Sequence, residues 1–140
     1  MKTDNYYMDQ CEKLGKAASL KGNPAVGALI LKDDEIISEA EEASKNKYDI
    51  TCHAEIEAIR IAVRKLKSAD LSGCTMFSTH EPCIMCSYVI RFHKIKKVVF
   101  QHSVNYLGGF SSSMPLLISE EVPAHWSKPP VIVQFSKENE

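Results

Sequence analysis

Four residues in two short segments have the types and the spacing that metal-assisted hydrolysis requires. Cys83 and Cys86 lie three positions apart in P-C-I-M-C (82–86), so both thiols project from one face of a helical turn. A Cys-x-x-Cys pair by itself is compatible with a redox, a structural or a metal-binding role. With His53 as a third ligand, a tetrahedral zinc ion would keep one position open for water and lower the pKa of that water toward neutrality. Glu55 would then serve as the proton acceptor and donor.

The sequence around these residues resembles a known family. T-C-H-A-E-I-E-A-I (51–59) and E-P-C-I-M-C (81–86) are similar to the zinc motifs of the cytidine deaminase superfamily, above all to its tRNA adenosine, guanine and fungal cytosine deaminases. The resemblance extends over residues 7–135. It implies one zinc ion (Zn2+) per chain held by His53, Cys83 and Cys86, with Glu55 as the catalytic proton carrier. It also implies a three-layer α/β/α fold with a five-stranded mixed sheet and both metal-bearing helices on one face.

The periodicity of apolar residues predicts the elements that must position these side chains. Helical spacing predicts helices over 6–20, from residue 53 to 66 with Thr51 as a cap, and from the cysteines to residue 92. Apolar runs predict a hairpin of strands at 25–31 and 35–38, and further strands at 74–78, 97–101 and 131–135. A short helix is expected at 114–119. Cys11 falls on the apolar stripe of the first helix and is expected in the core.

Several residues are candidates for substrate contact. The segment N-P-A-V-G-A (23–28) resembles the matching segment of riboflavin-pathway pyrimidine deaminases, and its Gly27 would either let the backbone approach a base or mark a bulge. The loop at 102–113 follows the carboxyl end of a strand, where ligands bind in open α/β sheets. Its aromatic and amide side chains would contact a base or else cover the core. The candidates in these regions and beside the histidine are Asn23, Gly27, Ala54, Asn105, Tyr106 and Phe110.

The loop before His53, residues 41–52, departs from the resembled family. Relatives place a substrate-contacting asparagine eleven residues before the histidine, and Glu42 occupies that position here. A solvated acid is the favoured interpretation of Glu42 and a substrate acceptor the alternative, with Asn46 as a displaced equivalent of the asparagine. Cys52 is not expected to bind metal, because neighbouring side chains at a helix start point apart.

Two further candidates, His80 and Glu81, precede the cysteines. His80 is expected to be exposed, since a loop histidine without an assigned partner is usually solvated. Glu81 would either orient a metal ligand or have no role there.

Charge distribution bears on the substrate. The net charge is -1, and the basic residues that follow each metal motif lie near the helix C-termini, roughly 15 Å from the metal at 1.5 Å per residue. The sequence therefore favours a small base, nucleoside or nucleotide of the guanine or cytosine type. The alternatives are adenosine in tRNA, which makes nucleic acid an unlikely but not excluded partner, and a catalytically silent zinc-stabilised subunit, against which the intact Glu55 argues.

Length and composition suggest the remaining expectations. The 140 residues predict one deaminase domain, and an odd count of five cysteines does not favour a disulfide framework. The polar N-terminus and the lack of a long apolar run predict a cytoplasmic protein without a membrane segment. Relatives close the pocket with C-terminal helices, for which 136–140 is too short. A homo-oligomer, most simply a dimer, is therefore expected, because subunits in the resembled family contribute to each other's pockets.

Overall fold

The computed structural model describes residues 1–137, and within them a five-stranded sheet is flanked by three helices. The elements are α1 (Asp4–Leu20), β1 (Gly27–Lys32), β2 (Glu35–Glu41), α2 (Ala54–Leu66), β3 (Cys74–His80), α3 (Ile84–Phe92), β4 (Lys97–His102) and β5 (Val131–Gln134). The strand order is β2-β1-β3-β4-β5. Strand β1 pairs antiparallel with β2 and β3, whereas β4 pairs parallel with β3 and β5. The predicted mixed sheet is thus confirmed.

Alternating strand residues separate the core into two layers. Ile30, Met76 and Val98 point to the face covered by α2 and α3, where Ala58 of α2 and Ile90 of α3 are fully buried with them. Their neighbours along the strands, Leu29, Phe77 and Val99, point to the opposite face, which is covered by α1. Both metal-bearing helices therefore pack on one face, and the predicted three-layer arrangement is confirmed.

Gly27 has a packing role that the sequence interpretation missed. A Cβ atom added there would lie 2.1 Å from the carbonyl oxygen of Cys11 and 2.6 Å from Cβ of Leu14. Helix α1 thus crosses the start of β1 at backbone contact distance, which only glycine allows. The strand irregularity lies between Ile30 and Leu31, so Gly27 marks neither a bulge nor a cavity wall. Cys11 is fully buried, as predicted.

The segment at 114–119 forms turns, and the prediction of a helix there is wrong. The amides of Ile118 and Ser119 both donate to the carbonyl of Pro115. The buried guanidinium of Arg91 donates hydrogen bonds to the carbonyls of Leu116 and Ser119 at 2.7 and 2.9 Å. These long-range hydrogen bonds stabilise the turns, and their source lies outside the local sequence.

No helix within residues 1–137 combines the length and apolar character needed to cross a membrane. The last residues assigned to the short C-terminal segment, 138–140, lie outside the described part of the chain.

Candidate metal and active site

The starts of two helices bring the three predicted metal ligands together. His53 is the N-cap of α2, Cys83 is the N-cap of α3, and Cys86 lies in the first turn of α3. The Nδ1 atom of His53 lies 3.6 Å from Sγ of Cys83 and 3.4 Å from Sγ of Cys86, and all three donor atoms lie within 4.8 Å of one another. Tetrahedral zinc, with Zn–S of about 2.3 Å and Zn–N of about 2.0 Å, separates sulfur from nitrogen by about 3.5 Å. The donor set fits zinc in both chemistry and spacing.

The electrostatics of the cluster favour a bound cation. Hydrogen bonds with Cys86 and His53 lower the pKa of Cys83 to about 4, so this residue offers a thiolate. The hydrogen bond with Cys83, followed by burial, raises the pKa of Cys86, and the same thiolate raises the pKa of His53. Two helix N-termini add positive potential at the sulfurs. A cation bound here would displace the shared protons, so affinity for it should increase with pH.

Glu55 lies beside the cluster, where it is only 3% exposed. One carboxylate oxygen, Oε2, accepts a hydrogen bond from Ser78 Oγ at 3.3 Å, and Oε1 lies 3.8 Å from Cys86 Sγ. Burial raises the pKa of the Glu55 carboxyl to about 7. A carboxyl with that pKa can exchange a proton near neutral pH. Sequence reasoning missed Ser78, which it placed at the end of the predicted strand without a role.

A cavity of about 230 Å³ opens at these groups. Small-molecule sites typically measure about 300–1,000 Å³, so this cavity suits one ring system rather than an extended ligand. Its walls combine the cluster with residues that precede β1, with the end of β3, and with the 41–52 and 102–113 loops. The lining residues are Pro24, Val26, Glu42, His53, Glu55, His80, Glu81, Cys83, Val104 and Tyr106.

Glu42 lines the cavity, and the favoured interpretation of it as a solvated acid is wrong. Its amide donates to the carbonyl of Val26, which extends the β1–β2 pairing by one residue and brings Glu42 beside the cavity. The side chain is 4% exposed. Its Oε1 accepts from the amide of Ser44 at 2.6 Å, and the Ser44 hydroxyl lies 2.9 Å from Oε1 and 2.8 Å from Oε2, so lone pairs on both oxygens are left over. The cavity wall therefore contains a carboxylate with remaining acceptor capacity.

Asn23 and Asn46 pair with each other instead of facing this cavity. Asn23 Nδ2 donates to Asn46 Oδ1 at 2.5 Å, and the amide of Asn46 donates to Asn23 Oδ1 at 3.1 Å. They line a neighbouring groove of about 570 Å³, which is larger but lacks the metal cluster and shares Glu42 with the cavity. Their contact holds the 41–52 loop against the residues that precede β1.

Of the four remaining substrate candidates, one lines the cavity and three do not. Tyr106 lines the cavity and is 85% exposed, while Asn105 is exposed outside it. The Phe110 ring stacks edge-on at 6.1 Å from Phe100. Ala54 is fully buried at the start of α2. Of the eight candidates, Glu42 and Tyr106 are the two that line the cavity.

His80 differs from expectation, and Glu81 follows the alternative without a role toward a metal ligand. His80 is half-buried and lines the cavity, with Nδ1 2.8 Å from Thr79 Oγ1, because β3 extends two residues beyond its predicted end. Burial would raise the pKa of Glu81, but hydrogen bonds from Ser111, Phe110 and Val104 outweigh it and lower that pKa. Those partners belong to the 102–113 loop, so Glu81 orients a loop instead of a metal ligand.

The approach to His53 is held by side chains rather than by a helix cap. Helix α2 has no side-chain cap bond, so the prediction for Thr51 is wrong. Thr51 Oγ1 donates to Asp49 at 2.7 Å and accepts from Arg60 Nη2 at 3.0 Å. Arg60 also lies 3.6 Å from Sγ of Cys52, which is buried outside the ligand cluster, as expected.

Comparisons with known proteins agree with this geometry. Residues 1–102 match the family model of the cytidine and deoxycytidylate deaminase zinc-binding region. The chain therefore belongs to this family of zinc-dependent hydrolytic deaminases. It is 40% identical to a tRNA-specific adenosine deaminase of Aquifex aeolicus over 112 residues, which cover 80% of this chain and 74% of that one.

Solved structures confirm the fold. A structure from a study of A-to-I editing by tRNA:A34 deaminases superposes with a TM-score of 0.86, at 23% identity, over 93% of this chain and 91% of that one. The guanine deaminase of Bacillus subtilis gives a TM-score of 0.70 at 29% identity, over 73% and 66% respectively. Both substrate classes that the sequence left open are represented among these relatives.

Proposed function

We propose that this chain deaminates adenosine to inosine in transfer RNA, with His53, Cys83 and Cys86 as the zinc ligands and Glu55 as the proton carrier. The observation that carries the proposal is the tetrahedral spacing of the three donors with the Glu55 carboxylate 3.8 Å from Cys86 Sγ. A carboxylate so close to the cluster, yet outside the ligand set, is free for proton transfer.

The proposed reaction assigns each group one task. Zinc bound by three protein ligands is a Lewis acid that lowers the pKa of water toward neutrality. Glu55 accepts a proton from the attacking water and returns protons to the ring nitrogen and to the departing amino group, so that ammonia leaves and a carbonyl remains. Ser78 holds the carboxylate in place through Oε2. The cavity is large enough for one ring.

The proposed substrate, adenosine in tRNA, differs from the small molecule that the sequence favoured. The pocket loops carry no excess of basic residues, which favoured a small molecule. The relative at 40% identity, however, is a tRNA-specific adenosine deaminase. A single-ring cavity suits a base turned out of an RNA loop as well as a free base, because only the target base must enter. A silent subunit conflicts with the complete set of reacting groups.

One observation supports a second candidate, a guanine-type substrate. Glu42 places a buried acceptor in the cavity wall. Guanine carries N–H donors that such a carboxylate can accept, whereas the adenine ring beside its reacting amino group presents acceptor nitrogens. The guanine deaminase of Bacillus subtilis shares the fold at 29% identity.

A deamination screen separates the two candidates. Purified zinc-loaded protein is incubated with tRNA transcripts, guanine, cytosine, adenosine and cytidine, and ammonia and inosine are measured. Inosine in tRNA, absent with the Glu55→Gln variant, is expected. Ammonia from guanine without inosine in tRNA would replace the main proposal by the second.

Three sequence-based expectations accompany this proposal. The chain acts as a single deaminase domain, a tRNA substrate fits the predicted cytoplasmic location, and a second copy of the chain is expected to complete the pocket. Light scattering at micromolar concentration tests the dimer, and a mass equal to one chain would contradict it.

A further inference from the structure

We propose that Glu81 is a positioning residue that fixes the cavity-forming part of the 102–113 loop, and that it thereby controls substrate affinity without taking part in metal binding. The loop segment concerned, residues 104–111, is called the cover segment here. The inference concerns the deaminase site proposed above and rests on that proposal.

Glu81 receives four hydrogen bonds from the cover segment. Its Oε2 accepts from the amides of Phe110 and Ser111 at 2.9 and 2.7 Å. Its Oε1 accepts from the amide of Val104 at 3.2 Å and from Ser111 Oγ at 2.7 Å. The carboxylate is 2% exposed, so these donors satisfy a charge that solvent does not reach. Both ends of the cover segment are therefore attached to one side chain.

Two glycines allow this attachment. A Cβ atom on Gly108 would lie 2.3 Å from Glu81 Oε2, and one on Gly109 would lie 1.8 Å from Ser87 Oγ. The amide of Gly109 donates to the carbonyl of Pro82 at 2.8 Å, and the carbonyl of Leu107 accepts from the amide of Ile84 at 3.0 Å. The cover segment thus lies directly against the turn that carries Cys83.

The cover segment has little packing of its own to keep it in place. Tyr106 is 85% exposed and Leu107 is 57% exposed, so neither anchors the segment by burial. Val104 and Tyr106 nevertheless line the cavity. Apart from the Phe110–Phe100 ring contact and the backbone bonds to Pro82 and Ile84, their position depends on the polar contacts to Glu81, and hydrogen bonds to a charged group are the stronger kind. Loss of those contacts should free this wall of the cavity.

The first arm of the test needs no substrate. Glu81→Gln replaces two acceptor oxygens by one oxygen and an amide that opposes the Phe110 and Ser111 donors. Chymotrypsin cleavage at Tyr106, Leu107 or Phe110, located by mass spectrometry, should accelerate by about tenfold or more, since proteolysis follows the population of the open segment. Zinc content should stay unchanged. Glu35→Gln, which alters an exposed carboxylate on β2, is the matched control and should change neither quantity.

The second arm uses the substrate identified by the deamination screen. Glu81→Gln should raise KM by about tenfold or more while kcat falls less, because the wall moves but the cluster and Glu55 do not. Ser111→Ala removes one of the four bonds and should give a smaller rise in KM. Combined with Glu81→Gln it should add less than it does alone, since a segment already released by the amide no longer holds Ser111 Oγ against residue 81.

The outcomes distinguish this inference from the proposed function. If the screen finds no substrate, the proposed function fails while the proteolysis and zinc measurements still test Glu81. Unchanged cleavage and KM, additive effects of the two substitutions, or loss of zinc from the Glu81 variant would overturn the inference. If Glu81→Gln does not fold, Ser111→Ala decides by the same cleavage and KM measurements.

Discussion

The metal cluster and the loops around the cavity are built in contrasting ways. The cluster is formed by residues at two helix starts, packed on a sheet whose core is fully buried, and its spacing follows from positions i and i+3 on one helical turn. The cavity walls come from the 41–52 and 102–113 loops, which are held by scattered side-chain contacts such as those of Glu81 and Arg60. The candidate metal ligands thus lie at helix starts, and much of the cavity wall comes from loops.

This contrast explains how one family acts on different rings. The groups that activate water and move protons need fixed geometry, which helix ends provide. The loops can change in sequence while the helix starts that carry those groups stay in place, because loops tolerate change better than the elements they connect. Glu42 illustrates the point, since a single loop residue changes the hydrogen-bonding character of the wall.

The largest expected effect comes from breaking the cluster. Cys83→Ser should lose zinc and essentially all turnover, because the variant replaces the thiolate ligand by a hydroxyl that stays protonated. Elemental analysis and ammonia release measure the two losses. Cys52→Ser is the matched control, since Cys52 is buried nearby but lies outside the cluster. Full zinc content in the Cys83 variant would mean that another residue completes the site.

A smaller effect is expected from changing Glu42, in the loop that lines the cavity. Glu42→Gln adds an amide donor to the cavity wall while the cluster is unchanged. With adenosine as substrate kcat/KM should rise a few-fold, since the ring presents acceptors there. With guanine it should fall by about tenfold, because a hydrogen bond to a charged group is weakened. Steady-state kinetics on both substrates give the direction, and zinc loss would show that Glu42 supports the cluster instead.

Gly27 should affect stability and leave substrate binding intact. Gly27→Ala places a methyl group against the Cys11 carbonyl and should reduce the free energy of unfolding by about 1–3 kcal/mol through overpacking. KM should not change. Gly73→Ala is the matched control, because a Cβ there meets no atom within 4 Å. Urea unfolding compares the two variants, and an altered KM with normal stability would return Gly27 to the substrate site.

Sequence reasoning predicted the helices and strands well, because the periodicity of apolar residues and the spacing of the two cysteines are local properties. The eight elements of the described chain followed from such patterns, whereas the mixed sheet and the ligand set of His53, Cys83 and Cys86 were implied by the resemblance to the deaminase motifs. It failed where distant contacts decide. The burial of Glu42 depends on pairing with Val26, and Gly27 is required by a helix that packs on it from elsewhere in the chain. The turns at 114–119 receive hydrogen bonds from Arg91, and no local sequence pattern predicts these bonds.

The central claim is that Glu55 carries protons and does not bind the metal. The most direct test measures zinc content and turnover of Glu55→Gln on the same purified sample. Zinc should remain at the wild-type level, while turnover should fall by about 10²–10⁴ because proton transfer is lost. Loss of zinc would make Glu55 a ligand, and unchanged turnover with full zinc would contradict its role in the reaction.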